Sequence, residues 1–475
     1  MKITPLFSAW GPKSLCAAAL LITACGNQRE VRQADEAYQQ ALALNDVMGQ
    51  RRALLALTRA EDGVSEYWMR LAQVELQIGA FGDAYAHLSR AHELDRTAVP
   101  PLSMMTELAV RSGELELAED HLKKLAVIAP NDRAVALARG FVALRQSDYE
   151  KAQENVDILL SQYPGDSLAN VLQSRILVAQ RKFPEAIEQL GQKLAINPED
   201  QALLRSLAAT HRYLKDWEKA AAAQSRLWRL SPSDAVVARQ VVSDALRAKN
   251  VALAREVTKS VIESAKAGNE VDGLLAAWTR LAPSADKLPA TLGTGMPDHS
   301  RIALAHHFNQ TGRAAEARSI LGDRPRAMGE RANVQFNAVF AEALSLSGQS
   351  GPARQILDRI LRDEPDHAVA LSARARLLSR SGDHRSATID AQRLVASYGA
   401  IPDYRVLLAN IYRASRDRRA AERTLWNGYR DLPGDETLFE EVRLLLNTRG
   451  DNDALSRFET DHDEERFSRL MKELA

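Results

Sequence analysis

Cysteine is almost missing from this chain of 475 residues: Cys16 and Cys25 are its only two. Both lie at the N-terminal end, so the remaining sequence can supply no disulfide, no cysteine metal site and no thiolate nucleophile. A surplus of either charge is missing as well. Lys+Arg and Asp+Glu number 62 each, which removes the basic excess that binding to nucleic-acid phosphates requires. No apolar run reaches the roughly 20 residues of a membrane-spanning helix. No two histidines stand four apart, the spacing of a helical zinc pair; His306 and His307 are adjacent, so on a helix they point about 100° apart. Gly293, Thr294 and Gly295 have neither the strand before them nor the helix after them that a phosphate cradle needs. The acids of 461–465 read as a solvated tail with no pocket for acid–base work. The inventory therefore points away from an enzyme and implies no cofactor and no metal.

What is present begins at the N-terminus. Lys2 and Lys13 supply a short basic region, and residues 15–24 are an apolar run of signal-peptide length. Leu21, Ile22, Thr23, Ala24, Cys25 and Gly26 then follow one another: an aliphatic pair, small residues, and a cysteine. This resembles a bacterial lipobox. The resemblance implies a signal peptide at 1–24, a lipidated Cys25 as the mature N-terminus, and an envelope lipoprotein facing the periplasm. Acyl chains contribute about 0.8 kcal/mol per buried methylene, so several together anchor firmly. Gly26, where an aspartate would retain the protein at the inner membrane by the enteric rule, implies the outer membrane.

The rest of the chain is too long for one hydrophobic core, and internal periodicity explains how it folds. Pro130, Pro164, Pro198 and Pro232 are spaced by 34, each ending an apolar helical segment. Twelve residues before each stands an alanine: Ala118, Ala152, Ala186 and Ala220, with Ala84 and Ala254 extending the series outward. Three before each alanine comes a bulky residue: Phe81, Leu115, Tyr149, Phe183, Trp217 and Val251. The unit starting at Ser65 adds Trp68, Leu71, Ala72, Gly79, Leu88, Ala91 and Leu94. This pattern resembles the tetratricopeptide repeat, two antiparallel helices per unit with small residues at positions 8 and 20 where they cross. Ankyrin and HEAT patterns fit less well. The resemblance implies an all-α fold, a right-handed α-solenoid of helix-turn-helix repeats in two arrays.

The sequence divides as follows. An array of about seven repeats covers 25–268, with starts at Val31, Ser65, Val99, Arg133, Ser167, Gln201 and Ala235 and a degenerate first unit carrying Gln50 at position 20. An irregular hinge covers 269–297, and a second array of about five repeats with a charged tail covers 298–475. Trp278 falls in the hinge, outside the register, as a candidate partner site; the other tryptophans fall on packing positions. In this family the first helix of each pair builds a long ligand-binding face. On the corresponding positions stand Arg111, Arg145, Arg175, Arg205, Arg212, Arg239 and Arg247, then Arg376, Arg380 and Arg413. Guanidinium groups are suited to carboxylates, so the expected ligand is an acidic peptide or an anionic polysaccharide. The Lys–Asn carboxylate clamp of chaperone-binding relatives is not reproduced. The resemblance implies a membrane-anchored periplasmic scaffold for protein–protein interaction, similar to repeat lipoproteins of exopolysaccharide secretion and of exosortase/PEP-CTERM systems. The alternative is a periplasmic chaperone gripping extended outer-membrane or secreted polypeptides.

Overall fold

A computed structural model of the chain describes residues 12–264, 269–281, 288–289, 296–327 and 331–474, with side chains from residue 28 onward except at 264, 269, 270, 331 and 332. The side chain of Cys25 and the glycine loop at 293–295 lie outside the described residues. Among the described residues there are twenty-five helices and no strand. They divide into two compact units, one ending at Gln180 and one running over Arg181–Leu474.

The first unit holds α1 (Pro12–Ala43), α2 (Val47–Ala60), α3 (Ser65–Gln77), α4 (Phe81–Leu94), α5 (Val99–Arg111), α6 (Leu115–Ile128), α7 (Arg133–Arg145), α8 (Tyr149–Gln162) and α9 (Ser167–Ala179). Every first helix from α3 to α9 has 13 residues and every second helix from α4 to α8 has 14. Their starts repeat at 34, at the residues where the pattern begins. The physical cause is local. Ala84, Ala118 and Ala152, at position 20, have no exposed surface at all, because the helix axes can come this close only over a methyl group. At position 8 of its unit, Gly140 leaves no room for more: a Cβ there would collide with Leu172 Cδ2. The core is a continuous seam in which Ala138, Phe141, Val156 and Leu172 join one pair to the next.

The second unit opens with α10 (Phe183–Ile196), α11 (Gln201–Tyr213), α12 (Trp217–Leu230), α13 (Ala235–Arg247) and α14 (Val251–Ser264), still in the same register. Next comes α15 (Asn269–Leu281). Its start lies 34 after Ala235, and it too has 13 residues. The register was expected to break at 269, in the segment 269–297; instead α15, whose apolar pattern is readable in Leu274, Leu275, Ala277, Trp278 and Leu281, is a first helix in register, packed on α13. What is irregular is its successor. No second helix follows it among the described residues; instead Leu288, wholly buried, stands between it and α16 (Asp298–Gln310).

From there the pairs resume. They are α16 with α17 (Ala314–Leu321), α18 (Arg331–Leu346) with α19 (Ser350–Asp363), α20 (Ala368–Arg380) with α21 (His384–Ser397), α22 (Pro402–Ala414) with α23 (Arg418–Asp431), and α24 (Glu436–Arg449) with α25 (Asn452–Leu474). The last helix has 23 residues where the other full second helices have 14.

Turns and caps follow the same period. The residue at position 15 enters the left-handed region in every pair from α3 onward for which both helices are described. It is glycine in six (Gly79, Gly113, Gly312, Gly348, Gly382, Gly450) and another residue in five (Ser147, Arg181, Lys215, Lys249, Arg416). Aspartates then cap the helices: Asp148, Asp216, Asp383 and Asp417 accept from backbone N–H groups of second helices, and Asp132, Asp166, Asp200, Asp234 and Asp435 do so for first helices.

Candidate functional site

The ten arginines picked out by the register all lie on first helices, but their surroundings divide them. In the first unit Arg111 is exposed, and Arg145 pairs with Glu119 at 3.0 Å. Arg175 lies over the Phe141 ring, 5.1 Å from its centroid, and burial pushes its guanidinium down to about 10.

In the second unit most arginines are tied to the neighbouring repeat. Arg212 holds the buried Asp244 by a forked contact, Nε and Nη2 donating at 3.0–3.2 Å. Burial lifts the Asp244 carboxyl above its ordinary range in spite of the facing guanidinium. Burial also works against the charge on Arg212, but Asp244 and Glu473 outweigh it and hold Arg212 protonated. Arg376 reaches the buried Glu342 at 3.2 Å, Arg380 donates to Ser345 Oγ at 2.8 Å, and Arg413 pairs with Glu441 at 2.9 Å. These contacts run between neighbouring repeats and act as cross-braces, so much of the positive row is already neutralised.

Three arginines differ. Arg205 and Arg239 occupy position 5 of successive units, are exposed, and make no ion pair among the described residues. The next residue in that row is Gly273 on α15, and the stem of Arg239 lies across it: a Cβ at Gly273 would sit 3.2 Å from Arg239 Cδ. Arg247 stacks on Trp217, its guanidinium carbon 4.5 Å from the ring centroid. Burial lowers its pKa, and among the described residues it has no ion pair.

Trp278 is not exposed as its place outside the register suggested. Its side chain is 1% exposed, and its indole N–H donates to Thr258 Oγ1 at 2.8 Å. The adjacent histidines separate as helix geometry requires. His306 faces Glu342 through Nδ1 at 2.8 Å. His307 is buried and contacts Thr279 Oγ1 at 2.8 Å, with burial holding its pKa down at about 4.

The tail is more than a solvated cap. The helix α25 keeps His462 buried and stacked on Phe439 with centroids 3.7 Å apart. Its last turns reach α10 and α11 of the same unit. Glu464 pairs with Arg181 at 2.7 Å and Glu473 with Arg212 at 2.6 Å. Phe467 packs edge-on to both Phe183 and Tyr213, and Arg466 donates to Tyr213 O at 2.7 Å. Beside this contact remains a cleft of about 150 Å³, lined by Trp217, Arg247, Glu436, Arg469 and Leu470 among others. Sequence reasoning stopped at the charges of 461–465. The signal it passed over is the stripe Phe467, Leu470, Leu474 at helical spacing just beyond them.

Comparison with known sequences fits this geometry. The family pattern described as tetratricopeptide repeat matches residues 137–202 and 171–235. The same 34-residue spacing of helix starts extends beyond the matched stretch, from Ser65 to α15 and again from α19 to α25. No curated protein matches the sequence. Solved structures match at low identity and low TM-score. A tetratricopeptide repeat protein from Parabacteroides merdae is 17% identical, covering 52% of this chain and 98% of its own, with a TM-score of 0.39. PilW, a type IV pilus biogenesis factor, is 18% identical, covering 44% and 98%, with a TM-score of 0.35. The P58(IPK) tetratricopeptide domain is 15% identical, covering 81% and 98%, with a TM-score of 0.25. Tetratricopeptide repeats serve as protein-binding scaffolds.

Proposed function

We propose that this chain is a membrane-anchored periplasmic scaffold that binds an acidic protein partner along its first helices, in the assembly of an envelope complex such as an exopolysaccharide secretion machine. The observation that carries the binding role is the pair Arg205 and Arg239: two exposed guanidinium groups at the same position of stacked repeats, uncompensated and followed by a glycine that adds no side chain to the row. Evenly spaced cations on a rigid face suit a partner segment with carboxylates at matching intervals. The anchor rests on the lipobox resemblance around Cys25. Cleavage before Cys25 would leave residues 25–43 of α1 as the first helix of the mature chain.

Two experiments test the two halves. Arg205→Glu with Arg239→Glu should abolish capture of the partner from detergent-solubilised membranes while leaving the helical circular dichroism unchanged; undiminished capture refutes the binding face. Cys25→Ser should block palmitate incorporation and move the protein out of the membrane fraction; unaltered processing and fractionation refute the anchor. Recovery of unfolded outer-membrane polypeptides by the wild-type chain, in place of a folded acidic partner, would favour the chaperone alternative.

A further inference from the structure

The final turns of α25 are not needed to complete their repeat. The first 14 residues of the helix suffice for that, as in α19, α21 and α23. From the end of that stretch into the additional turns runs an ordered pattern: Glu464, then Phe467, Leu470 and Glu473, at steps of three. Each meets a counterpart or is buried. Glu464 meets Arg181, Phe467 enters between Phe183 and Tyr213, Leu470 is 3% exposed, and Glu473 meets Arg212. An amphipathic helix is thus seated, apolar residues down and acids outward, on a surface prepared for it.

The seating is imperfect in one respect. The cleft beside it already contains Arg247, stacked on Trp217 without an ion pair, yet α25 adds Arg466 and Arg469 to its lining. Arg466 is answered by Glu436, and Arg469 donates to Gly434 O and Pro433 O. Arg247 makes no direct ion pair; Glu436 and Asp244 favour its charge from a distance but do not outweigh its burial. The Arg181–Glu464 pair is largely exposed, with 47% and 63% of the two side chains accessible, and exposed pairs hold weakly.

We propose that the face formed by Arg181, Phe183, Arg212 and Tyr213 is a docking site for an amphipathic partner helix bearing acid, aromatic, apolar and acid residues at steps of three, with a further carboxylate where this chain has Arg469. The chain's own α25 is its resting occupant. Tethering gives α25 a high effective concentration at the site, so it excludes weak ligands, while a partner that neutralises Arg247 displaces it. This deepens the scaffold reading by naming the partner's form. Its test uses only this chain and synthetic peptides, so its failure leaves the capture experiment on Arg205 and Arg239 standing.

The test measures two things on the full chain: hydrogen exchange at residues 466–474, and fluorescence anisotropy with a labelled peptide of residues 459–474 carrying Arg469→Glu. In the wild type the segment should be protected and the peptide should bind poorly. In the variant Glu464→Lys with Glu473→Lys, the segment should exchange freely and the peptide should bind at least tenfold tighter than to the wild type. The unaltered 459–474 peptide should bind the variant more weakly than the Arg469→Glu peptide. Phe467→Ala is a second, gentler release and should give the same order. Continued protection of 466–474 in both variants, a released segment with no peptide binding, equal peptide binding to wild type and variants, or loss of helical signal in both variants would each overturn the proposal.

Discussion

Trp278 on α15 donates its indole N–H to Thr258 on α14, and Thr258 in turn donates its hydroxyl to Ala254 O at 2.7 Å. The acceptor and donor are both buried, so this bond ties α15 to the preceding pair where its own second helix is absent from the described residues. Thr258→Val keeps the shape but leaves the indole N–H unpaired, which costs about 1–3 kcal/mol. The urea midpoint of the second unit should fall accordingly, and Thr258→Ser should restore most of it. A neutral result for Thr258→Val would show that the bond does not hold α15 in place.

Acid should weaken the second unit through His307. Burial depresses its pKa from 6.5 to about 4, with Arg313 and His306 adding repulsion. A histidine depressed in the folded state binds its proton more readily when unfolded. Stability is therefore full above pH 6.5 and declines as pH falls from 6.5 towards 4. A shift of this size corresponds to roughly 3 kcal/mol. His307→Gln should flatten the urea midpoint between pH 6.5 and 4.5; an unchanged slope would assign the acid sensitivity elsewhere.

The turns offer a prediction of opposite sign. Lys249 sits at φ 60° where six other repeats use glycine, and a non-glycine residue pays roughly 1–2 kcal/mol in that region. Lys249→Gly should stabilise by about 0.5–1 kcal/mol after the greater chain entropy of glycine is deducted. Gly348→Ala, at φ 83°, should destabilise by a similar amount. Thermal midpoints of the two single variants should move in opposite directions.

The repeat period was legible because every contact that creates it is local. Small residues at positions 8 and 20, a bulky residue at 17 and a stop near 32 concern neighbouring helices only, so helix starts from Ser65 to Ala235 could be read from spacing. The helix at 269–281 was read as out of register for a related reason. Its own residues keep the register, but no second helix follows it among the described residues to advertise it, and Trp278 looked unplaced when it was in fact core. The arginine row was legible as a row. Its neutralisation by Asp244 and Glu441 was not, because those acids lie 32 and 28 residues from Arg212 and Arg413, offsets the pattern does not constrain. The reach of α25 to α11 spans more than 200 residues of sequence, and no periodic rule within a repeat encodes it.

That reach alters how the second unit must unfold. A linear stack of repeats, each touching only its neighbours, melts from its ends like an unfastened zipper. In this unit the last helix rests on the first few, so neither end is free and fraying has no natural place to begin. Lifting α25 away would return the closed circuit to a chain with two loose ends. Cooperativity of unfolding thus becomes a property that the tail switches on, and a partner able to displace it would turn a unit that melts as one body into one that peels repeat by repeat.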